Sequence, residues 1–330
     1  MGTERGKGMA RRALAIGLAA AFAVFAVSGC SRKAAKGKAE NYRFTFIIYG
    51  TAGNPFWTKV VNGAKEASQK LDCSVDVQFA DNDATKQNDI IETAISNKVD
   101  GIGMAINYDD AYDETVKKAL DKGIAVVAFN IDDSKKAAGN ARMAYVGQDM
   151  ETAGFIIASR LIRDGGLKRG DSVVCPVEHP EAVYAVQRYA GARKAFGPAG
   201  VKSEVLNTGG LSLEDTLNKL TQYLLGHKDT DAVLAMGGMP MEVAPQAIDD
   251  AGLKIPVAGF DLTKQIAANI ADGKSIATVD QQPFYQDFLT ITQLYYNRKY
   301  GLHPCDVNTG GGVVDRTTAE QVIKFADSVR

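Results

Sequence analysis

Short apolar runs alternate with amphipathic stretches along the chain from Tyr42 onward. Runs rich in Val, Ile and Phe predict buried strands, and apolar residues recurring every three or four positions predict helices. The first half of the pattern predicts strands at 44–49, 75–79, 101–105 and 125–129, with helices at 56–71, 84–97 and 110–122. This alternation predicts parallel strands with helices on both faces of the sheet.

The same alternation starts again after Tyr145-Val146-Gly147. It predicts helices at 150–164, 181–196, 213–226 and 241–251, and strands at 172–177, 201–205, 232–236 and 256–260. A helix at 283–300, a flexible crossing at 309–312 and a last helix at 318–329 follow. Two sets of similar units predict an α/β protein with two similar doubly wound parallel-sheet lobes. Without a leader the chain has about 300 residues, which exceeds the size at which single cores stop growing.

The N-terminus has the pattern of a secretory signal. Basic residues within the first twelve positions precede an uncharged apolar run at 13–27, too short to cross a bilayer, which takes roughly 20 residues. Val27-Ser28-Gly29-Cys30 resembles the lipobox of bacterial lipoproteins, in which the cysteine is acylated and becomes the mature N-terminus. An ordinary secretory signal with an incidental cysteine is the alternative. We expect a lipoprotein signal peptide at 1–29, then a lipidated Cys30 and a flexible tether at 30–41. The fold would be extracytoplasmic and anchored to the bacterial membrane by lipid.

Composition argues against several classes of function. The 38 basic and 39 acidic residues nearly cancel, and no basic stripe suggests a nucleic-acid partner. With three His and no HxxxH, GxSxG or P-loop pattern, neither an enzyme, a metal site nor a cofactor is expected. Cys73, Cys175 and Cys305 allow at most one disulfide. Cys175 lies in an apolar run and is expected to be a buried free thiol, whereas a Cys73–Cys305 bond stays open.

Candidate binding residues follow the predicted strands, because ligands of open parallel sheets bind beyond the carboxyl ends of the strands. After the first strand come Phe56 and Trp57, and two adjacent aromatic residues are not expected to face one core together. At least one of them should face a cleft. Amides and carboxylates follow other predicted strands, namely Asn107, Asn130, Asp132, Asp261 and Gln281. Helix capping explains each of these taken singly, but the combination favours a polyhydroxylated ligand.

Six segments are informative in combination. They are Asn54-Pro55-Phe56-Trp57, Val126-Val127-Ala128-Phe129-Asn130, Tyr145-Val146-Gly147-Gln148-Asp149, Arg188-Tyr189-Ala190-Gly191, Gly259-Phe260-Asp261 and Ala277-Thr278-Val279-Asp280-Gln281-Gln282-Pro283. In this order they resemble the periplasmic sugar-binding proteins of ABC importers, of the ribose- and galactose-binding type. The resemblance implies the type I periplasmic binding protein fold, with a three-segment hinge near 146–149, 279–283 and 308–313. It implies an N-terminal lobe at 42–147 plus 283–308, and a C-terminal lobe at 148–282 plus 309–330.

The resemblance also implies a function. A monosaccharide-like ligand is expected to bind between the lobes by hinge closure and to be delivered to an ABC permease by a monomeric protein. The ligand contacts carried over by position are Asn54, Phe56, Trp57, Asn130, Arg188, Asp261 and Gln281. Phe56 or Trp57 would stack on a sugar ring, while Asp261 and Gln281 would bind its hydroxyls. Delivery of a polyol, cyclitol or signal molecule to a chemosensory receptor is the alternative.

The chain departs from the ribose-binding pattern at two places. Asn130 stands where that pattern has Asp, and Gly237-Gly238-Met239-Pro240 stands where it has Asn-Asp. The space left there would be filled by Met236, Met239, Glu178 or Tyr184, and Glu178 and Tyr184 are included among the expected ligand contacts. Sites built for particular hydroxyls reject analogues that leave buried groups unpaired. Another monosaccharide, a polyol or a cyclitol is therefore expected instead of ribose.

Overall fold

The chain folds into two α/β lobes, each built on one sheet of mostly parallel strands. The computed structural model describes residues 41–52, 55–209, 212–326 and 328–330. Within these residues each sheet has six strands. Strands buried on both faces read as nearly continuous apolar runs, which is why the sequence pattern revealed most of them.

The sheet of the first lobe has the order β11-β5-β4-β3-β1-β2, and its strands are parallel. Its strands are β1 (Arg43–Ile48), β2 (Ser74–Phe79), β3 (Gly101–Met104), β4 (Ala125–Asn130), β5 (Ala144–Gly147) and β11 (Val307–Asn308). Its helices are α1 (Pro55–Leu71), α2 (Ala84–Ser96), α3 (Asp113–Asp121) and α9 (Pro283–Tyr300). Helix α9 returns late in the chain to pack on α1 and β4.

The sheet of the second lobe has the order β12-β10-β9-β8-β6-β7, with only β12 antiparallel among its described strands. The strands are β6 (Ser172–Val177), β7 (Lys202–Asn207), β8 (Ala232–Ala235), β9 (Val257–Phe260), β10 (Ala277–Asp280) and β12 (Gly312–Asp315). The helices are α4 (Met150–Gly165), α5 (Val183–Ala199), α6 (Leu213–Gly226), α7 (Gly238–Asp250), α8 (Lys264–Ala271) and α10 (Ala319–Ile323).

Each sheet has a hydrophobic core on both faces, because successive side chains of a strand point to opposite sides. In β1, Phe46 and Ile48 belong to one core and Ile47 to the other. In β6, Cys175 belongs to one core and Val174 to the other. The prediction of two doubly wound lobes is confirmed.

The described chain passes three times from one sheet to the other. It leaves β5 for α4 through residues 148–149, β10 for α9 through 281–282, and β11 for β12 through 309–311. Asp149 caps α4 by accepting the backbone N–H of Thr152, which ends the first crossing where the helix begins. These positions agree with the hinge segments expected from the resemblance.

Some elements differ from the sequence prediction. Helix α8 and strand β10 were not predicted as elements. The last helix was predicted over 318–329, but α10 ends at Ile323. The helix predicted at 110–122 begins only at Asp113. Among the described residues, no helix is both long and apolar enough to cross a membrane.

Candidate ligand-binding site

Three strands end in polar side chains where the two lobes meet. Asn130 is the last residue of β4, Asp261 follows β9, and Gln281 follows β10. The φ angles of Asn130 and Asp261 are 63° and 67°. Asn and Asp adopt this left-handed conformation more readily than most residues. Both strands therefore end in a sharp turn at the edge of the sheet.

Gln281 connects the first lobe to the second. Its Oε1 accepts a hydrogen bond from Asn130 Nδ2 at 3.1 Å, and its Nε2 donates one to Asp261 Oδ1 at 2.7 Å. Asn130 Nδ2 also donates to Gln286 Oε1 at 3.0 Å. Asn130, Gln281 and Gln286 are all buried, so these bonds exchange little with water and are stronger than exposed ones.

Arg188 extends this connection inside the second lobe. It is only 2% exposed, and its guanidinium lies 4.2 Å above the ring of Phe260. Its Nε donates to Gln148 Oε1 at 3.0 Å, and its Nη1 donates to the Met236 carbonyl at 2.9 Å. Its Nη2 forms an ion pair with Asp261 Oδ1 at 3.4 Å. Asn130, Gln281, Asp261, Arg188 and Gln148 together are called the interlobe network below.

The interlobe network contacts all three crossings. Gln148 lies in the first crossing and Gln281 in the second. In the third, Thr309 Oγ1 donates to the Gln281 carbonyl at 2.8 Å. The hydroxyl of Tyr145 donates to the carbonyl of Asn130 at 2.8 Å. A change in the angle between the lobes would therefore alter these hydrogen bonds directly.

Aromatic rings of the first lobe lie beside the interlobe network. Tyr49 follows β1 and packs edge-on against Trp57 at 5.0 Å between centroids. Burial raises the pKa of Tyr49 to about 12, and the charges of Arg188 and Asp261 also act on it, the first lowering the pKa and the second raising it. The phenol thus lies near this ion pair of the other lobe and stays protonated at neutral pH.

The burial of Phe56 and Trp57 differs from the expectation. Trp57 is buried in the core of the first lobe, and Phe56 is half-buried and packs against the same core. The premise that two adjacent aromatic residues cannot share one core is wrong here, because they pack edge-on at 4.8 Å. Of the two, Phe56 retains more exposed surface.

Lys59 makes a direct contact between the lobes. This residue of α1 is buried, and its Nζ donates to the backbone carbonyl of Leu262 in the second lobe at 2.9 Å. An ammonium on a four-carbon chain can reach across a narrow cleft and keep its charge solvated by carbonyl oxygen. The structure therefore has the lobes in contact at this point.

Glu178 and Tyr184 lie together at the start of α7. Glu178 Oε1 accepts the backbone N–H of Met239 at 3.0 Å, and Oε2 accepts the hydroxyl of Tyr184 at 3.2 Å. Burial raises the pKa of Glu178, and the nearby charge of Asp261 raises it further. The carboxylate of Glu178 occupies the space beside Gly237, and Tyr184 bonds to that carboxylate.

The remaining sequence candidates have other partners or fall outside the described chain. Asp132 forms a two-pronged ion pair with the buried Arg142, at 2.9 Å to Nε and 2.5 Å to Nη2. Asn107 Oδ1 accepts the hydroxyl of Tyr112 at 2.9 Å. Asn54 and Cys30 lie outside the described residues.

A groove of about 670 Å³ runs along the junction of the lobes near the first and third crossings. Asp132, Tyr145, Gln148, Met150, Phe155 and Asn308 are among its lining residues. Arg188, Asp261 and Glu178 do not line it. The groove and the interlobe network meet at Gln148, but the convergent polar groups lie on the network side.

A metal site, or a catalytic histidine after β6, would be the alternative to a binding site in the described part of the chain. No cluster of His, Cys, Asp and Glu there could hold a metal ion. His179, which follows β6, has a 58% exposed side chain and faces Glu181 at 3.9 Å. Its exposure agrees with a surface role more than with a base in a closed site.

Sequence reasoning missed Tyr49, Lys59 and Gln148. Tyr49 was counted as the last residue of a strand, yet it stands just after β1. Gln148 stood in a segment singled out only as a lobe crossing. Finding Tyr49 and Gln148 by their place after a strand requires the observed ends of β1 and β5, which the sequence pattern did not provide. Nothing in the local pattern of α1 distinguishes Lys59.

A sequence model of the family described as "periplasmic binding protein domain" matches residues 44–299. The chain belongs to this family. Membership implies an extracytoplasmic location for this periplasmic binding protein.

Curated relatives are similar over most of their length. The chain is 25% identical over 295 residues to a xylose/arabinose-binding protein, XylF, of Sulfolobus acidocaldarius, covering 84% of this chain and 72% of that protein. It is 28% identical over 243 residues to a D-ribose/D-allose-binding protein of Pseudomonas aeruginosa, covering 71% and 76%.

A solved structure is similar in sequence and in fold. A carbohydrate transporter protein from Acidothermus cellulolyticus 11B, in complex with myo-inositol, has a TM-score of 0.76 and 27% identity to this chain. The match covers 87% of this chain and 98% of that one. A periplasmic solute-binding protein of Actinobacillus succinogenes 130z with bound D-allose, at a TM-score of 0.76 and 24% identity, supports the fold.

Proposed function

We propose that this periplasmic binding protein captures a monosaccharide or cyclitol between its lobes and delivers it to an ABC importer. The observation that carries the proposal is the interlobe network, in which Gln281 bonds to Asn130 in one lobe and Asp261 in the other. Amides and carboxylates supply the donors and acceptors that ring hydroxyls need. Tyr49 and Phe56 provide aromatic surface from the first lobe. The sugars named for the relatives, and the myo-inositol of the similar structure, support this ligand class.

The proposed mechanism is a shift in population between open and closed arrangements. The network and the Lys59–Leu262 contact are made by groups of both lobes, so they favour a closed arrangement. A ligand that contacts both lobes binds the closed arrangement more tightly and increases its population. The permease would recognise the closed form. We propose no catalytic step, and the relatives are named as binding proteins.

The ligand contacts proposed on this basis are the residues expected from the sequence. They are Asn54, Phe56, Trp57, Asn107, Asn130, Asp132, Glu178, Tyr184, Arg188, Asp261 and Gln281, to which Tyr49 is added. The ion pair of Asp132 with Arg142 and the hydrogen bond of Asn107 with Tyr112 weaken the case for those two residues.

We propose the lobe boundaries expected from the sequence, with 42–147 and 283–308 in one lobe and 148–282 and 309–330 in the other. Residues 1–29 would be removed, and lipid on Cys30 with the tether up to residue 41 would hold the monomer near its permease. A tether of this kind raises the local concentration of the binder at its target. In the source bacterium, a Cys30→Ser variant should move from the membrane to the soluble extracytoplasmic fraction. An unchanged membrane fraction would refute the lipid anchor.

Asp261→Ala tests the ligand site. Its carboxylate accepts bonds from Gln281 and Arg188 and is 23% exposed, so its loss removes a ligand acceptor and unpairs Arg188. We expect affinity for the best ligand in a screen of sugars, polyols, cyclitols and nucleosides to fall at least about 100-fold. Asp249→Ala, on the exposed side of α7, is the control. Stabilisation by none of these compounds, but by peptides or metal ions, would overturn the proposed ligand class.

A further inference from the structure

A side chain at position 237 would occupy the same space as the carboxylate of Glu178. Gly237 precedes α7, and a Cβ built on it would lie 2.1 Å from Glu178 Oε2 and 2.7 Å from Glu178 Cδ. Contacts this short do not occur between real atoms. A side chain at position 237 and the carboxylate of Glu178 in its present place are therefore mutually exclusive.

Glu178 also performs the task that a capping side chain at 237 would perform. Helix α7 has no capping side chain of its own within the described residues, since its N-cap residue is Gly237. Glu178 instead accepts the Met239 N–H at 3.0 Å, one of the donors that the first turn of a helix leaves unpaired. Position 237 has an extended backbone, with φ −152° and ψ 177°, which suits the capping residues Asp, Asn and Ser.

The start of α7 lies between two carboxylates. Glu178 stands on one side, while a Cβ on Gly238 would lie 3.6 Å from Asp261 Oδ2 on the other. Arg188 is the cation that pairs with Asp261. When Glu178 is ionised, two negative charges and one positive charge lie at this end of the cleft, and the carboxylates would repel an anionic ligand group placed here.

We propose that Glu178, in place of a side chain at position 237, supplies the polar contact of the cleft at the start of α7. The pair of Glu178 and Gly237 then selects uncharged ligands that donate a hydroxyl hydrogen bond at this point. This inference rests on the proposed function and narrows its ligand class to neutral sugars and cyclitols, excluding sugar acids. A ligand that lacks this hydroxyl would desolvate the carboxylate without adding a hydrogen bond to those from Met239 and Tyr184, and would bind more weakly.

A double-mutant cycle tests whether a carboxylate at position 237 can replace that of Glu178. Wild type, Glu178→Ala, Gly237→Asp and the double variant are compared by urea unfolding without ligand and by calorimetric titration with myo-inositol and D-allose. Each single variant should be less stable, because one loses the cap and the other forces two carboxylates into one space. Each should also bind the neutral probes at least about 10-fold more weakly. The double variant, with its carboxylate moved to 237, should regain most of both losses.

Two further variants distinguish the effect of the charge of Glu178 from the effect of the limited space at position 237. Glu178→Gln keeps the shape of the side chain and should reduce the preference for myo-inositol over D-glucuronate at least about 10-fold, since one repulsive charge is gone. Gly238→Ala is the stability control, because its Cβ would make only ordinary contacts of 3.5 Å or longer. Its unfolding free energy should not fall as that of Gly237→Asp does.

The outcomes distinguish this inference from the proposed function. Additive losses in the double variant, with wild type binding the neutral probes, would refute this replacement and leave the proposed function intact. An unchanged preference in Glu178→Gln would refute the charge selection. If wild type binds no neutral probe while stability is regained in the double variant, the proposed ligand class is wrong. The result would then support only the inference that Glu178 caps α7 in place of a side chain at position 237.

Discussion

Asp287 is a fully buried carboxyl in α9 that the proposed function does not use. Within the described residues neither of its oxygens has a hydrogen-bond partner. A Cβ built on Gly63 of α1 would lie 3.1 Å from its Cβ, so the helix pairing encloses it. Burial raises its pKa well above the usual value for Asp, so the folded protein keeps this carboxyl protonated to a higher pH than the unfolded chain does.

We expect Asp287→Asn to stabilise the protein, and increasingly so as pH rises. Above the usual Asp pKa the unfolded chain ionises this carboxyl while the folded chain does not. Stability is then lost at about 1.4 kcal/mol per pH unit until the folded pKa is reached. Asn does not ionise and escapes this loss. Urea unfolding at several pH values should show a gain of at least about 1 kcal/mol at pH 7 that vanishes in acid.

Asp315→Asn is a control in which the effect on stability should depend on pH in the opposite direction. Bonds from Thr317 and Arg160 lower the pKa of Asp315, so its stabilisation is present above the usual pKa and disappears as pH falls through the folded value. This variant should be less stable than wild type at neutral pH and equal to it in acid. A gain for Asp287→Asn that is independent of pH would contradict a protonated buried carboxyl.

The three described cysteines should differ strongly in reactivity. Cys73, Cys175 and Cys305 are free thiols, of which only Cys305 is exposed. Burial raises the pKa of Cys73 to about 11 and also raises that of Cys175, and only thiolates react readily. Brief iodoacetamide treatment near neutral pH, followed by mass spectrometry, should modify Cys305 alone among them. A Cys73–Cys305 disulfide in the unreduced protein, or a melting temperature lowered by dithiothreitol, would contradict this arrangement.

The sequence predicted residues at strand ends better than their partners. Asn130, Asp261, Gln281 and Arg188 were singled out, and the structure brings them into one network. Asp132 was chosen by the same rule, yet Arg142 lies ten residues away and pairs with it. A strand end fixes where a side chain starts, whereas its partner depends on packing between distant segments.

At the scale of elements, tertiary contacts explain the largest error. The periodicity at 318–329 predicts one helix, but α10 ends at Ile323. Arg330 Nε donates to the buried Asp280 Oδ2 at 2.9 Å, which connects Arg330 to the end of β10. A straight helix would carry Arg330 elsewhere. Helix α8 was missed because its eight residues are few for a periodic signal.

Two glycines set the distance between α4 and α5. A Cβ on Gly191 would lie 1.9 Å from the Glu151 carbonyl, and one on Gly154 would lie 2.0 Å from the Arg188 carbonyl. Gly191→Ala must therefore separate the helices, and we expect a loss of about 1–3 kcal/mol in the free energy of unfolding. Because Arg188 lies one turn from Gly191, ligand affinity should also fall. Calorimetric unfolding and ligand titration check both effects.

Gly226→Ala serves as the matched control for Gly191→Ala. Gly226 is the last residue of α6, and a Cβ there would have no described atom within 4 Å. The substitution should be neutral or stabilise by up to about 1 kcal/mol. Equal losses at both positions would show that the close packing of α4 against α5 does not decide the result.

At the scale of the whole molecule, the sequence pattern predicted two lobes, and the family resemblance implied the approximate positions of the crossings. Neither could reveal how closely the lobes approach, because that depends on a few long-range contacts. The hydrogen bond from Lys59 to the Leu262 carbonyl spans 203 positions of sequence. Such a contact leaves no local signal in a helix such as α1, yet it bears directly on hinge closure.

Lys59→Met therefore tests the closure mechanism itself. If the Lys59–Leu262 contact belongs to the closed arrangement, its loss weakens the closed state and lowers ligand affinity by about 3–10-fold, while unfolding without ligand changes little. Lys70→Met is the control in the same helix, since Lys70 forms an exposed pair with Glu66, and such pairs contribute little. Small-angle scattering should show that saturating ligand reduces the radius of gyration of wild type, and that Lys59→Met needs more ligand for the same reduction. If Lys59→Met instead unfolds more easily without ligand and binds as tightly as wild type, the contact persists in the open state and the lobes do not close through it.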